Sequence, residues 1–486
     1  MTDGISRNRY GIDPVPGDPG DCRSTGDARS FDRRTLLRLA GALPIVGAAA
    51  SAFPTTGARA FATGGSAGDV AMSEAFYYAF PLYEFARTEQ TLAKCVGNPG
   101  MIGKITHRNQ LSDYRSRTVT APNNDTIYSS CFMDLSAGPM EVVSPTIHTR
   151  YFSIAFMDAF TDNFAYIGTR ATNGVGGRYW VVGPQWSGNA PRGVHVFRSA
   201  TNDVWMLARM VVDGPEDLPA AVALLDKVAV VAPGGGIAPR GFENAAVSDP
   251  ADPALFLAVV NEMLRRSPGG RGQLARASQL KAWGIGPDAR PDAAILEKWR
   301  QFLPIGLKDL REAFLFRDLV ANGWTYQPPG VGNFGTNDRL RAAVALGGIA
   351  ALGEKEAMYF HANFEVGGER LSGRHAYRWR VPPGGVPADA FWSLTMYDAQ
   401  PDGRYYLVQN ALNRYSIGDR TSNLVREADG SLQVLIQHDQ PSGRLAPNWL
   451  PAPVGPMRLA LRAYMPRQVL IERKWRVPPL ERADPA

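Results

Sequence analysis

Residues Phe391–Arg420 read FWSLTMYDAQPDGRYYLVQNALNRYSIGDR, and their opening has an earlier counterpart in Tyr151–Ala159, YFSIAFMDA. The two align without gaps on FWSLTMYDA, sharing Ser153 with Ser393, Asp158 with Asp398 and Ala159 with Ala399. Further on, Ile167-Gly168-Thr169-Arg170 echoes Ile417-Gly418-Asp419-Arg420. Side chains of a strand alternate between its faces, so Phe152, Ile154, Phe156 and Asp158 share one face, as do Trp392, Leu394, Met396 and Asp398. An apolar face ending in a carboxylate thus occurs twice, and the chain is expected to hold two related β units.

A chain of 486 residues with 45% apolar and 20% charged content is globular and long enough for two domains. The net charge of +6 is spread among acidic residues without a like-charge block, and no recognition module accompanies it, so no nucleic-acid partner is expected. Cys95 and Cys131 are too few for a disulfide scaffold and lack zinc-site spacing, although an oxidising compartment allows them to pair.

The first sixty residues read as a targeting segment. Arg33-Arg34 stands directly before the apolar run Leu36–Ala52, and Ala58-Arg59-Ala60 is a small-x-small cleavage site. Residues 1–60 therefore resemble a twin-arginine export signal, with the export machinery as partner and a periplasmic or secreted location. An uncleaved anchor is the alternative, but Gly41, Pro44 and Gly47 weaken the run, which is shorter than the ~20 apolar residues a spanning helix needs. The mature chain is expected to have no transmembrane helix.

Residues 61–71 form an expected mobile tail. Residues 72–213 hold a helix, Met72–Cys95 with Pro81 inside it, followed by short β-prone runs separated by turn residues. Residues 214–335 form a mainly helical insert opened by Gly214-Pro215-Glu216-Asp217, with helical patterns at Pro253–Arg266, Asp292–Leu303 and Leu307–Asn322. Residues 336–486 return to one helix and a second set of strands. The fold class is α+β, mainly β: two jelly-roll-like antiparallel β-sandwich units with a helical insert between them.

Several motifs carry a resemblance: Pro122-Asn123-Asn124-Asp125-Thr126 with Tyr128, Asn163–Arg170, Val212–Leu218, Phe391–Asp398, Asn413–Arg420, Ile436–Asp439 and Asn448–Pro453. Together they resemble a mainly bacterial family that pairs two domains of unknown function, catalogued as 1254 (N-terminal) and 1214 (C-terminal). The resemblance implies two jelly-roll-like units with helices between and around them, and frequent export. It implies no reaction.

Gly64-Gly65-Ser66-Ala67-Gly68 matches a nucleophile elbow but lacks the strand and helix that expose the serine. Gly330–Gly335 matches a dinucleotide fingerprint, yet Pro328-Pro329 occupies the place of its strand. The six histidines are dispersed, with no metal-binding pair. No cofactor is expected, and calcium is left open only at Asn123-Asn124-Asp125, where the same residue types also make a turn. The ten Trp and seventeen Tyr are explained by packing more simply than by a sugar-binding surface.

The expected site lies in the second unit. His438 follows Val434 and Ile436 on one strand face and is either a core histidine or a proton carrier; Asp398 either caps the turn after it or orients that histidine. Asn413, Arg414, Tyr415, Asp419 and Arg420 supply a loop in which a guanidinium could clamp an anionic group. Secondary candidates are Asn123, Asn124, Asp125, Tyr128, Asp158, Asn163 and Arg170. Two functions follow: a hydrolase or lyase acting on a small polar organic molecule by carboxylate and histidine chemistry, or a non-catalytic ligand-binding or accessory protein. The reading allows a homo-oligomer.

Overall fold

The computed structural model describes residues 67–117, 120–235, 238–248, 250–401 and 404–483, all within one compact unit, Arg59–Ala486. The expected export signal and tail residues 61–66 lie outside the described residues. Residues 67–71 already belong to helix α1, Ala67–Ala93, so that end of the expected tail is helical. Among the described residues no helix is long and apolar enough to cross a membrane.

The first β unit has eight strands: β1 Thr126–Asp134, β2 Met140–Ser144, β3 Phe152–Asp158, β4 Asn163–Gly168, β5 Gly177–Val182, β6 Val194–Arg198, β7 Asp203–Val211 and β8 Ala229–Val231. The larger sheet runs β1-β7-β3-β4, with Thr106–Arg108 added beside β1; the smaller runs β6-β5-β2-β8. The second unit repeats this plan with β9 Ala357–Ala362, β10 Ala376–Val381, β11 Ala388–Ala399, β12 Ser416–Gly418, β13 Leu432–Gln437, β14 Trp449–Pro451, β15 Met457–Pro466 and β16 Leu480–Ala483. Its sheets run β9-β15-β11-β12 and β14-β13-β10-β16, strand for strand the same order. Even the exception recurs: β5 and β6 are parallel, and so are β13 and β14.

The structure is mainly β; Ala67–Ala93, Pro253–Arg266, Ala293–Ala313 and Asp338–Gly348 pack in one apolar cluster, while Leu218–Leu225 packs on the core of the first unit. Each unit contains one parallel pair and so is not purely antiparallel. The second larger sheet also recruits Val320–Ala321 and Trp324–Tyr326 from the stretch expected to be helical. The expected helices Asp292–Leu303 and Leu307–Asn322 are replaced by one helix, Ala293–Ala313, which runs through Pro304. Trp299, Leu303, Leu307 and Leu310 are all buried on it, and that packing carries the helix past the residue that interrupts its backbone bonding.

The alternating strand pattern decides what each sheet face touches. Phe152, Ile154 and Phe156 turn inward and join Ile127, Val142, Val181, Met206 and Met210 in the core of the first unit. The opposite face meets helices at one end: Met157, Phe132 and Trp205 pack with buried residues of α1, of the helix Pro253–Arg266 and of the helix Ala293–Ala313. At its other end it meets the second unit, where Tyr151, Ala155 and Val211 pack with Ala357, Phe391 and Tyr464. The rings of Phe391 and Tyr464 stack 4.2 Å apart, and Tyr151 lies 5.6 Å from Phe391. The two larger sheets therefore face each other with their non-core sides.

Candidate functional site

Those facing sides carry an identical row of residues. In the first unit Arg209 on β7 lies between Tyr128 on β1 and Ser153 on β3, and Ser153 lies beside Gly168 on β4. In the second, Arg462 on β15 lies between Tyr359 on β9 and Ser393 on β11, and Ser393 lies beside Gly418 on β12. Glycine is required at the same end of both rows, because a Cβ would stand 2.3 Å from the Phe152 carbonyl oxygen at Gly168 and 2.2 Å from that of Trp392 at Gly418. The serines shared by the two copies of the sequence are members of this row, on the face opposite the one the aspartates suggested.

One carboxylate from each unit reaches across. Asp125, one residue before β1, accepts from Ser393 Oγ at 2.5 Å and Ser416 Oγ at 3.3 Å, with Arg420 Nη2 3.7 Å away. Glu356, one residue before β9, accepts from Tyr151 OH at 2.8 Å and Arg170 Nε at 2.5 Å. Arg420 also donates to the Val212 carbonyl and to Asp213. Both central carboxylates are almost fully buried, where an ionised group persists only if it is bonded and paired.

The remaining groups are arginines and phenols. Arg462 donates from Nη1 to Thr395 Oγ1 and from Nη2 to Tyr397 OH, each at 2.7 Å. Arg209 donates from Nη2 to the Ala350 carbonyl at 2.7 Å, while its buried Nη1 has no partner. Arg458 lies over the Tyr405 ring at 4.4 Å with a buried Nε that has no partner. Among the described residues none of these three buried arginines forms an ion pair. Burial raises the phenol pKa of Tyr151, Tyr359 and Tyr464, so they enter the seam as neutral hydroxyls. His361 shares the Tyr359 face; burial, then Arg458 and Arg462, hold its imidazole well below the usual range, and its Nδ1 is unbonded.

The expected site residues are distributed differently. Asp398 is on β11 and accepts from Gln400 Nε2 at 2.7 Å; His438 is exposed, follows β13 in the other sheet, and meets the Ala452 carbonyl through Nδ1 at 3.0 Å. Among the described residues no hydrogen bond joins them, and His438 is not at a buried end of the inward face. The polypeptide turns at His438, taking its side chain off the core side of the strand. Arg414 caps the Pro447 and Trp449 carbonyls, and Asp419 accepts from the Trp392 amide. Tyr415 is buried and donates to Asn413. Part of Asn413–Arg420, expected as a loop, is strand β12.

Among the secondary candidates, Asp158 caps its own turn, accepting from the Phe160 and Asp162 amides. Asn163 donates to the Ala351 carbonyl, and Asn124 to that of Ser112. Asn123 accepts from the Asp125 amide and donates to Tyr464 OH, so the Asn123–Asp125 turn delivers its carboxylate into the seam. The Asn123 oxygen is engaged with an amide, and those of Asp125 with hydroxyl and guanidinium groups. No group of three or more His, Cys, Asp or Glu residues suited to a metal occurs among the described residues. Cys95 and Cys131 are separate, buried thiols.

Of the seam residues, sequence reading singled out Asp125, Tyr128, Arg170 and Arg420 but missed Arg209, Glu356, Tyr359, Arg458, Arg462 and Tyr464. The available signal was arginine inside two apolar runs, Arg209 in Trp205–Val212 and both Arg458 and Arg462 in Met457–Tyr464.

The model for proteins of unknown function DUF1254 matches residues 102–232, and that for DUF1214 matches residues 356–468, each centred on one β unit. No curated protein matches the chain. Among solved structures, the VPA0106 protein from Vibrio parahaemolyticus is similar at 24% identity and a TM-score of 0.64, over 86% of this chain and 99% of that one. An uncharacterised protein from Burkholderia cenocepacia aligns at 13% identity and a TM-score of 0.41, over 84% of this chain and 89% of that one. The first likeness supports the fold alone. The paired models, in this order along the chain, place it in the family that joins an N-terminal DUF1254 domain to a C-terminal DUF1214 domain.

Proposed function

We propose that this is an exported protein that binds a small, polar, anionic organic molecule in the seam between its two β units. The observation that carries the reading is the pair of buried arginines Arg209 and Arg458, each with a guanidinium nitrogen that has no partner and neither with a carboxylate on it among the described residues. A buried, uncompensated charge costs several kcal/mol, and a bound anion removes that cost. The binding reading is favoured over acid–base catalysis by Asp398 and His438, because those two groups are committed to separate partners. The test is calorimetric melting of the mature chain with organic anions and their neutral isosteres. Anions should raise Tm as mass action requires, and neutral isosteres should not. No shift at tens of millimolar anion overturns the reading.

A catalytic reading draws support from one group, His361, a neutral imidazole with a free Nδ1 beside Arg458 and Arg462. If a metabolite screen finds turnover, His361→Gln should abolish it with the fold intact. Undiminished turnover in that variant removes His361 from the chemistry.

A further inference from the structure

The two rows match in position but differ in occupancy. In the second unit Ser393 is bonded to a carboxylate, that of Asp125, which also lies within electrostatic reach of Arg462. The equivalent carboxylate, Glu356, does not complete the first unit's row. Its side chain is one methylene longer, and it is held instead by Tyr151 OH and Arg170 Nε. Ser153 Oγ consequently has no partner in hydrogen-bond geometry, although the Tyr151 hydroxyl is close, and Nη1 of Arg209, its neighbour in register on the next strand, has none. Ser153 is 1% exposed and Arg209 8%, so water at the surface does not serve them. Native structures rarely leave such groups unbonded, and here two donors on adjacent strands are unbonded together.

From this comparison we infer that the Ser153–Arg209 half of the seam is a subsite for the carboxylate of a small organic acid. The ligand's carboxylate would stand where symmetry with the other half would place an Asp125-like group. Ser153 Oγ and Arg209 Nη1 donate to it, a pairing of hydroxyl and guanidinium that suits an acceptor-only group. Tyr128, half-buried at the end of the row with the Arg209 guanidinium 5.8 Å from its ring centre, is the member nearest solvent. The Ser393–Arg462 half, already holding the protein's own carboxylate, serves to lock the two units together. This assignment rests on the seam being the binding site and adds the ligand class and the half that receives it.

The experiment is titration calorimetry of the full mature chain with acetate, propionate, propionamide and inorganic phosphate, repeated on Ser153→Ala, Arg209→Lys and Arg462→Lys. Arg209→Lys keeps the charge and guards against a variant that fails to fold. Carboxylates should bind and propionamide should not. Affinity should fall about tenfold or more in Ser153→Ala and Arg209→Lys, the loss expected for a charge-assisted hydrogen bond, and by less than about threefold in Arg462→Lys. Loss confined to Arg462→Lys overturns the subsite while leaving the seam as the binding site. Binding of phosphate in preference to carboxylates overturns the ligand class. Absence of binding in the wild type, or equal binding in all three variants, overturns the seam reading itself.

Discussion

Asp125 and Glu356 occupy the same place in the two β units, each one residue before the strand that begins the larger sheet, and each is held by an arginine of the other unit. Those arginines, Arg420 and Arg170, are themselves equivalent, two residues beyond the matching glycines Gly418 and Gly168. The crossing is thus a two-fold arrangement within one chain, in which the seam is fastened at both ends by the same device. The device explains why polar groups are tolerated between two sheets: each buried carboxylate arrives with its partners in place.

The crossing is expected to couple the units energetically. Glu356→Ala should destabilise the protein by about 3 kcal/mol, since it strands Tyr151 OH and Arg170 Nε together. In urea unfolding, the cycle built from Glu356→Gln and Arg170→Met should show an interaction of ~1–3 kcal/mol. Additive single mutations would show that the two side chains are neighbours without being coupled.

Much of the architecture was legible because strands alternate. The repeated YFSIAFMDA and FWSLTMYDA segments became β3 and β11, with Ser153 and Ser393 in the same register against Arg209 and Arg462. The site was less legible because the repeated aspartates, which bond locally within and beside their turns, stand out in the sequence more than the repeated serines on the other face. Arg209 and Arg462 were hidden for a physical reason. An arginine in an apolar run reads as a surface position, and only the packing of one sheet's outer face on another makes it internal. The split of the β4 counterpart into Tyr405–Leu407 and β12 was equally hidden, since the intervening turn follows from a longer connection in the second unit.

Asp158 supplies a pH signature. Burial, then the nearby Asp162, opposed by Arg341, push its carboxyl up from 3.8 to about 7. A folded-state pKa above the unfolded value means the folded protein holds its proton longer. The contribution to stability is therefore full below pH ~4 and is lost as pH rises through about 7. Asp158→Asn keeps an oxygen for the Phe160 and Asp162 amides but cannot titrate. Urea unfolding from pH 4 to 8 should show wild type losing up to ~4 kcal/mol relative to the variant. A constant difference between the two across that range would contradict the assignment.

Export is expected from the order twin arginine, apolar run, small-x-small site. Replacing Arg33 and Arg34 with Lys should leave full-length precursor inside the cell, as read by fractionation and by the mass of the product. Normal trimming near Ala60 and normal export of the double variant would refute the signal.

The last prediction separates groups that shape the second unit from groups that serve its seam. His438 is exposed and Asp398 is only partly buried, so His438→Ala and Asp398→Asn should each change stability by no more than about 0.5 kcal/mol. Arg414 donates from Nη1 to two carbonyls, Pro447 at 2.8 Å and Trp449 at 2.9 Å, and ties the connection before β12 to the smaller sheet. Arg414→Ala strands both acceptors and should cost about 2 kcal/mol, because a buried carbonyl loses its partner without regaining water. None of the three contacts the Ser153–Arg209 row, so carboxylate affinity, measured well below each variant's melting temperature, should match wild type. A tenfold loss of affinity in His438→Ala or Asp398→Asn, with melting unchanged, would return the site to the end of β13 and count against the seam.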